Sequence, residues 1–387
     1  MIRTTGNNRE YRVMENLNLS YVEEFENTAS TDGDSLYTVD GSEEGQISES
    51  VFYETTDEQF TAPANGNVVN VDNDFGGDIA SAIASANEGD TVQLGNNVYY
   101  TDGITINKNI VLNGVEGSII DGTGTGSSIL TLTPEASGAT IQNMEITNGN
   151  NGIYGSGATN ITLQNLNINN IGINQTIRHG ENNTGIMLNR ADGVQILDSN
   201  LNNIGRKGVG IGDTSGALVS GVVVENVNLD AQHAQSHDAA GVKFYNTFNA
   251  TVKDSYFDNI NANNIWNDIT SGTTIEGNTV AGVGDNFIKP DFNTNVEISG
   301  IYNEKSVNST VTGNTADSLD GFLAYNATAF TTESMALEDN NFSHSGVNTT
   351  DYWANKDAEI LIATTENAAD ANFDLYHQDY LAEANIG

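Results

Sequence analysis

Two lysines stand at equivalent places in short apolar runs near the middle of the chain. Lys243 lies in "GVKFYNTFN" and Lys289 in "FIKPDFNT", and Trp266 holds the same place in "NIWNDITSG" between them. Successive side chains of a strand point to opposite faces, so the residue after each inward anchor points outward. If the runs stack as coils ~4.8 Å apart, Lys243, Trp266 and Lys289 form an outward column about 10 Å long. Cations are scarce in a chain with 13 Lys+Arg against 52 Asp+Glu, so this column is a candidate site.

A second outward column, two residues further along each run, carries Tyr245, Asp268 and Asp291. Together the two columns could perform β-elimination at a uronate. That reaction needs a cation to offset the carboxylate, a base for the α-proton and an acid for the departing oxygen. Lys243 or Lys289 could supply the cation or, with a pKa depressed by its partner lysine, the base.

Other groups could complete the same reaction. His237 is a second candidate base, and Tyr245 is the candidate acid. Asp268 and Asp291 could orient the lysines or hold Ca²⁺, the one candidate cofactor, because calcium prefers oxygen ligands. A C5-epimerase abstracts the same proton, so the residues leave lyase and epimerase both open.

Two further classes of function remain open beside the leading lyase hypothesis. Asp268 and Asp291 on adjacent coils could be the acid and base of a glycoside hydrolase, which needs carboxyl separations of ~5–5.5 Å or ~6.5–9.5 Å. A surface, sheath or adhesive protein would use the lysines in protein contacts and catalyse nothing.

Aromatic, small and basic residues around the columns are candidate substrate contacts. Trp266 offers a platform for a sugar ring, Gly210 and Gly212 would leave a bare floor beside it, and Tyr325 would wall the other side. A basic cleft on an acidic molecule focuses anionic ligands, so an acidic polysaccharide is the predicted partner. The basic contacts are in a loop and a short turn: Arg178, His179, Arg206 and Lys207.

The elements that must position these residues repeat along the chain. Short β-rich runs alternate with Asn/Gly turns and align on one inward apolar residue each, at intervals of 33, 23, 33, 23, 23 and 34 residues. A base period of 23 is typical of a parallel β-helix, in which each coil stacks on the last. The predicted anchors are Ile153, Ile186, Val209, Val242, Ile265, Ile288 and Phe322.

Two stretches also carry a resemblance to a known superfamily. Residues 78–122, beginning "DIASAIASANEGD", resemble the capping helix and first coils of right-handed parallel β-helix proteins of the pectate-lyase-like kind, and "AAGVKF" with "NNIWNDI" resembles bacterial β-helix repeat proteins. The resemblance implies an all-β solenoid over 68–345. The acidic composition of 1–67 predicts an extension or edge cover, and the strand edges exposed at an open β-helix end predict a C-terminal cover at 346–387. The resemblance does not fix the function, since this fold hosts lyases, epimerases, hydrolases and inert fibres.

Composition limits the partners and the place of action. A net charge of −39 argues against binding nucleic-acid phosphates, and no apolar run approaches the ~18 residues that span a membrane. Cys is absent, so neither a disulfide nor a thiolate metal site is expected. The acidic surface suits a salty or calcium-containing exterior, which predicts an extracellular or bacterial cell-surface protein, although the first twenty residues hold no apolar signal core. The oligomeric state is left open.

Overall fold

The computed structural model is a stack of parallel β-coils, in which every pair of neighbouring strands is parallel. This confirms the predicted all-β solenoid. The structure describes residues 66–101, 103–123, 128–173, 183–229, 239–281, 299–304, 306–318, 320–327, 335–344 and 360–365.

These described residues form twenty-nine short strands, two short helices and one turn of 3₁₀ helix. The helices are α1 (Val71–Phe75), α2 (Ile79–Ser85) and the 3₁₀ turn (Pro134–Ala136). The strands are β1 (Val68–Asn70), β2 (Thr91–Gln93), β3 (Val98–Tyr100), β4 (Ile104–Ile106), β5 (Val111–Asn113), β6 (Ile119–Asp121), β7 (Ser128–Leu132), β8 (Thr140–Thr147), β9 (Asn151–Ser156), β10 (Thr162–Ile171), β11 (Thr184–Asn189), β12 (Gln195–Leu197), β13 (Asn200–Ile204), β14 (Lys207–Ser215), β15 (Leu218–Ser220), β16 (Val223–Val227), β17 (Ala240–Phe248), β18 (Thr251–Lys253), β19 (Tyr256–Ile260), β20 (Asn263–Ser271), β21 (Thr274–Glu276), β22 (Thr279–Val280), β23 (Ser299–Glu304), β24 (Ser309–Thr312), β25 (Thr315–Ser318), β26 (Asp320–Ala327), β27 (Met335–Glu338), β28 (Asn341–His344) and β29 (Ile360–Thr365).

The strands form one sheet of ten and one of nineteen. The ten-stranded sheet runs β4–β7–β9–β11–β14–β17–β20–β23–β26–β29, so among the described residues its stacking reaches Thr365. The nineteen-stranded sheet consists of two parallel columns that the long strands β8 and β10 join. Each full coil therefore passes three faces, and the core lies between them.

Inward apolar anchors stack in register in the ten-stranded sheet. Ile153, Ile186, Val209, Val242 and Ile265 are consecutive partners, and all are fully buried. The predicted register is confirmed to this point.

The next coil corrects the prediction. Ile265 pairs with Ile301, not with Ile288, and Ile301 pairs with Phe322. The intervals after Ile265 are therefore 36 and 21 residues, and long coils alternate regularly with short ones. Lys289 and Asp291 belong to the stretch 282–298, which lies outside the described residues.

A glycine ladder explains why the chain adopts the observed register. A Cβ on Gly185 would lie 2.7 Å from the Gly208 carbonyl oxygen, and one on Gly208 would lie 2.6 Å from that of Gly241. Glycine also precedes the anchors Ile301 and Phe322, whereas Phe287 precedes Ile288. Glycine favours this close approach of successive backbones, and Asn264, before the anchor Ile265, is the exception among these coils.

Asparagine ladders run along the bends of the coils. Asn143, Asn165 and Asn226 adopt left-handed backbone conformations, which asparagine tolerates better than most residues. The Asn165 side-chain amide donates to Asn143 Oδ1 at 2.7 Å, and the buried Asn278 amide donates to Asn314 Oδ1 at 2.9 Å. These ladders satisfy turn groups from one coil to the next.

The predicted N-terminal capping helix is present as α2. Its buried residues Ile79 and Ile83 pack on the core, and the Asp78 carboxylate accepts a hydrogen bond from the Ser81 amide at 3.0 Å. At the other end, Lys108 Nζ donates to the carbonyl oxygens of three residues at 2.7–3.0 Å: Ile83, Ala84 and Ala86. Lys108, from the first coil, therefore stabilises the C-terminal end of the capping helix α2. No helix in the described part of the chain is long and apolar enough to cross a membrane.

Replacing Lys108 with methionine should loosen this cap. The three carbonyls lose a charged donor at a helix C-terminus, which should cost about 1–2 kcal/mol. Urea unfolding gives the size of the loss, and amide exchange should localise it to α2. The matched control is Lys253→Met, because Lys253 makes an exposed 3.8 Å ion pair with Asp254 and its loss should be nearly neutral. Equal losses in both variants would contradict the capping role.

Candidate functional site

Two outward columns run along the ten-stranded sheet, where the sequence placed them. Register confirms the predicted neighbours as far as Trp266 and Asp268, and Tyr302 and Glu304 occupy the places expected for Lys289 and Asp291. The first column is Tyr154, Met187, Gly210, Lys243, Trp266 and Tyr302. The second is Ser156, Asn189, Gly212, Tyr245, Asp268 and Glu304.

Lys243 joins the two columns diagonally. Its Nζ lies 2.9 Å from Asp268 Oδ2 on the next coil and 3.4 Å from the centre of the Trp266 ring. It is also 5.9 Å from the centre of the Tyr245 ring, and the residue is only 6% exposed. An ammonium group gains both from the carboxylate and from the indole face, and a neutral amine would lose both interactions. This arrangement favours a fixed cation, not a base.

Trp266 is buried, which corrects its predicted role as an open sugar platform. It is 6% exposed, and its ring centre lies 5.6 Å from that of Tyr302 with the planes tilted by 34°. Its Nε1 donates to Glu304 Oε2 at 3.2 Å. Trp266 is thus a packed support beneath Lys243 and Glu304, while Tyr245, at 46% exposed, is the aromatic that reaches solvent.

Asp268 and Glu304 place two carboxylates in register on adjacent coils. They have different partners: Asp268 is ion-paired with Lys243, and Glu304 accepts the indole N–H. The Asp268 side chain keeps 14% of its surface exposed. The two carboxylates at this position of the sheet therefore differ in their surroundings, with a cation beside Asp268 and a neutral donor beside Glu304.

The two glycines are not the bare floor that the sequence suggested. A Cβ on Gly210 would lie 2.6 Å from Met187 Sδ and 3.4 Å from Lys207 Cδ, and one on Gly212 would lie 2.6 Å from Asn189 Oδ1. Their missing side chains make room for side chains of the same protein, not for a ligand.

Arg206 and Lys207 also differ from their predicted place on an exposed rim. They are 6% and 5% exposed, so neither is an open contact for a substrate.

Several predicted site residues cannot be placed against this geometry. Tyr325 lies in register with Glu304, but only its backbone is described. The residues that fall outside the described ranges are Lys289, Asp291, His237, Arg178 and His179. In the part of the chain that the structure describes, no three His, Asp or Glu side chains group as metal ligands, and the Lys243 ammonium already occupies Asp268. A calcium role for Asp268 and Asp291 therefore stays a prediction.

Sequence reasoning missed Tyr302 and Glu304. It could have found them from the glycine that precedes most anchors, because "SGIYNE" repeats the Gly–Ile or Gly–Val pair of four earlier coils and "NFIKPD" does not.

A second pair of carboxylates lies on another face. Glu225 and Asp258 are partners on β16 and β19, in an outward column of the nineteen-stranded sheet. Burial, followed by the Asp258 charge, raises the pKa of Glu225, although the Asn202 amide donates to it at 3.2 Å. Glu225 thus accepts from an amide on its own face, whereas Glu304 accepts from the indole that supports Lys243.

Glu225→Gln should therefore stabilise the protein at neutral pH. A raised carboxyl pKa means that the folded state binds the proton more tightly, so ionised Glu225 destabilises the fold as pH rises through that pKa. Removing a like charge directly opposite another should gain roughly 0.5 kcal/mol at pH 7. The gain should vanish below about pH 4, where glutamate is protonated in both states. Thermal unfolding at both pH values tests this, and a variant less stable than the parent at pH 7 would refute it.

Comparisons with known proteins identify solved structures of similar fold but no activity for this chain. No protein-family model and no curated protein sequence matches this chain. The catalytic domain of a GH87 alpha-1,3-glucanase in complex with nigerose aligns with a TM-score of 0.48 and 12% identity, over 76% of this chain and 60% of that domain. An alginate lyase from Paenibacillus sp. str. FPU-7 aligns with a TM-score of 0.43 and 15% identity, over 74% of this chain and 96% of the lyase.

A GH136 lacto-N-biosidase from Eubacterium ramulus gives a TM-score of 0.42 and 14% identity, over 74% of this chain and 64% of the biosidase. This chain thus spans less than two thirds of the glucanase domain and of the biosidase. At such identities the likeness concerns the fold, which the strand pairing already establishes.

Proposed function

We propose that this protein cleaves a polysaccharide by hydrolysis, at the outward columns of the ten-stranded sheet. The observation that carries the proposal is the pair Asp268 and Glu304, in register on adjacent coils and held by different partners. Glu304 takes the place that the sequence gave to Asp291, and the chemistry of an acid–base pair is unchanged.

The different partners of Asp268 and Glu304 indicate a different catalytic role for each carboxylate. Asp268 forms an ion pair with Lys243 and serves as the anionic member, either attacking the anomeric carbon or activating a water. Glu304 serves as the acid that protonates the departing glycosidic oxygen. Coils lie ~4.8 Å apart, which is close to the ~5–5.5 Å carboxyl separation of enzymes that retain anomeric configuration. Tyr245, the exposed aromatic beside Asp268, contacts the sugar.

β-Elimination on an acidic polysaccharide, or C5-epimerisation, is the second candidate. It is favoured by Tyr245, a half-exposed phenol whose ring lies 5.9 Å from a fixed ammonium. In that reaction Tyr245 takes the α-proton and returns it to the departing oxygen, while the buried Lys243 acts on the uronate carboxylate as a nearby charge and not as a direct contact. For either reaction the proposed location is outside the cell, where the polysaccharide substrate occurs.

One assay separates hydrolysis from elimination. The protein is incubated with polygalacturonate, alginate and α-1,3-glucan, with and without Ca²⁺, while reducing ends and ultraviolet absorbance are followed together. Reducing ends without new absorbance support hydrolysis, and equal growth of both supports elimination. If neither signal grows and no glycan is bound, both catalytic proposals fail and a structural or adhesive β-helix takes their place.

A further inference from the structure

Ile269 has a backbone conformation that isoleucine rarely adopts. Its φ is +58°, in the left-handed region, and it directly follows Asp268. For L-residues this region costs free energy because Cβ crowds the neighbouring carbonyl, and a β-branched residue there is an outlier. Strain of this kind persists where the surroundings impose it, and such residues concentrate at functional sites.

Neighbouring coils show that the fold requires the conformation but not the isoleucine. Arg190, Asp213 and Asn246 hold the same place after the second outward column, with φ of 51°, 49° and 50°. The Asn246 amide donates to Asp213 Oδ1 at 2.6 Å, so a polar side chain also gains a hydrogen bond along this ladder. Asparagine at position 269 would fit the turn better than isoleucine does.

The surroundings of Ile269 indicate why the protein retains an isoleucine at this strained position. It is partly exposed between the outward Asp268 and the fully buried Thr270. Across the sheet, Asp268 has the exposed Tyr245 as its partner on the preceding coil. A branched apolar residue thus adjoins Asp268 along the chain and an aromatic residue adjoins it across the sheet, and both residue types suit the C–H face of a sugar ring.

We infer that Ile269 is a specificity-determining contact of the proposed active site, packing on the C–H face of the sugar that is bound against Asp268. The inference rests on the proposed function. It requires that the strain be retained for ligand contact, at the expense of stability.

The test compares Ile269→Asn with Ile269→Val. The asparagine variant relieves the strain, so its Tm should rise by about 2 °C. It removes the apolar contact, so its KM for the glycan cleaved in the panel should rise about tenfold with kcat little changed. The valine variant keeps a branched apolar group in the same conformation, so its Tm and KM should match the parent's.

The outcomes separately test the sugar contact, the backbone strain and the proposed function. A higher Tm with unchanged KM in Ile269→Asn would overturn the contact and leave the proposed function standing. An unchanged or lower Tm would overturn the argument from strain. If the parent protein neither binds nor cleaves any glycan in the panel, the proposed function fails, and this role for Ile269 fails with it.

Discussion

Glu304→Gln should lower kcat/KM for the cleaved glycan by about 10³-fold, because an amide cannot protonate the departing oxygen. Glutamine keeps the size of the side chain and an oxygen that can accept the Trp266 N–H, so the fold should not change. Asp268→Asn should cause a comparable loss, since it removes the anion that faces Lys243. The Glu304 variant should also lose the alkaline limb of the pH–rate profile, which a merely structural glutamate would not affect.

Glu225→Gln is the matched control for this prediction. It too removes one of two carboxylates in register on adjacent coils, but on the nineteen-stranded sheet. Its kcat/KM should equal the parent's. If Glu304→Gln retains full activity on a glycan that the parent cleaves, Glu304 is not the acid and the assignment of roles is wrong.

Gly241→Ala should destabilise the protein by about 3 kcal/mol or more, enough to reduce soluble yield. The added Cβ would lie 2.6 Å from the Asn264 carbonyl oxygen, 2.8 Å from Ile260 Cδ1 and 2.9 Å from Phe257 Cδ1. The carbonyl belongs to a backbone that is fixed in a parallel ladder, so it cannot move aside without breaking strand pairing. The free energy of unfolding in urea measures the effect.

A second glycine, directly after β14, provides the control. Gly216 has φ of +69°, and a Cβ added to it would meet no heavy atom beyond its chain neighbours within 4 Å, so the position needs only a residue that tolerates the left-handed region. Gly216→Asn should therefore stay within about 0.5 kcal/mol of the parent. A Gly241→Ala protein as stable as Gly216→Asn would show that the corner can open and that the ladder does not fix the coil spacing.

Much of the fold is readable from the sequence because its causes are local. Alternating residues define the inward anchors, and left-handed Asn143 and Asn165 fall where β8 and β10 pass from one column of the nineteen-stranded sheet to the other. The pattern misplaces the coil after Ile265 because "NFIKPD" and "SGIYNE" both offer an apolar anchor followed by two outward residues. Choosing between them depends on the contact between neighbouring coils, where glycine is favoured beside the anchor although Asn264 takes that place before Ile265.

The sequence predicts the columns of the site but not its contacts. It brings Lys243, Trp266 and Asp268 together, because period-two alternation fixes which side chains share a face. It cannot show that Lys243 reaches diagonally to Asp268 and lies on a buried Trp266. Burial and pairing depend on side-chain packing across coils, which the pattern along one strand does not contain.

The claim that a glycan binds against these columns is tested most directly by the fluorescence of Trp266. The chain has two tryptophans, so Asp268→Asn combined with Trp353→Phe leaves Trp266 as the only one, in a protein that should bind without turnover. Titration with the glycan that the parent cleaves should change its emission saturably, because Glu304, which accepts the Trp266 N–H, faces the ligand. Unchanged emission, at glycan concentrations that saturate cleavage by the parent, would place the active site elsewhere on the molecule and contradict the account.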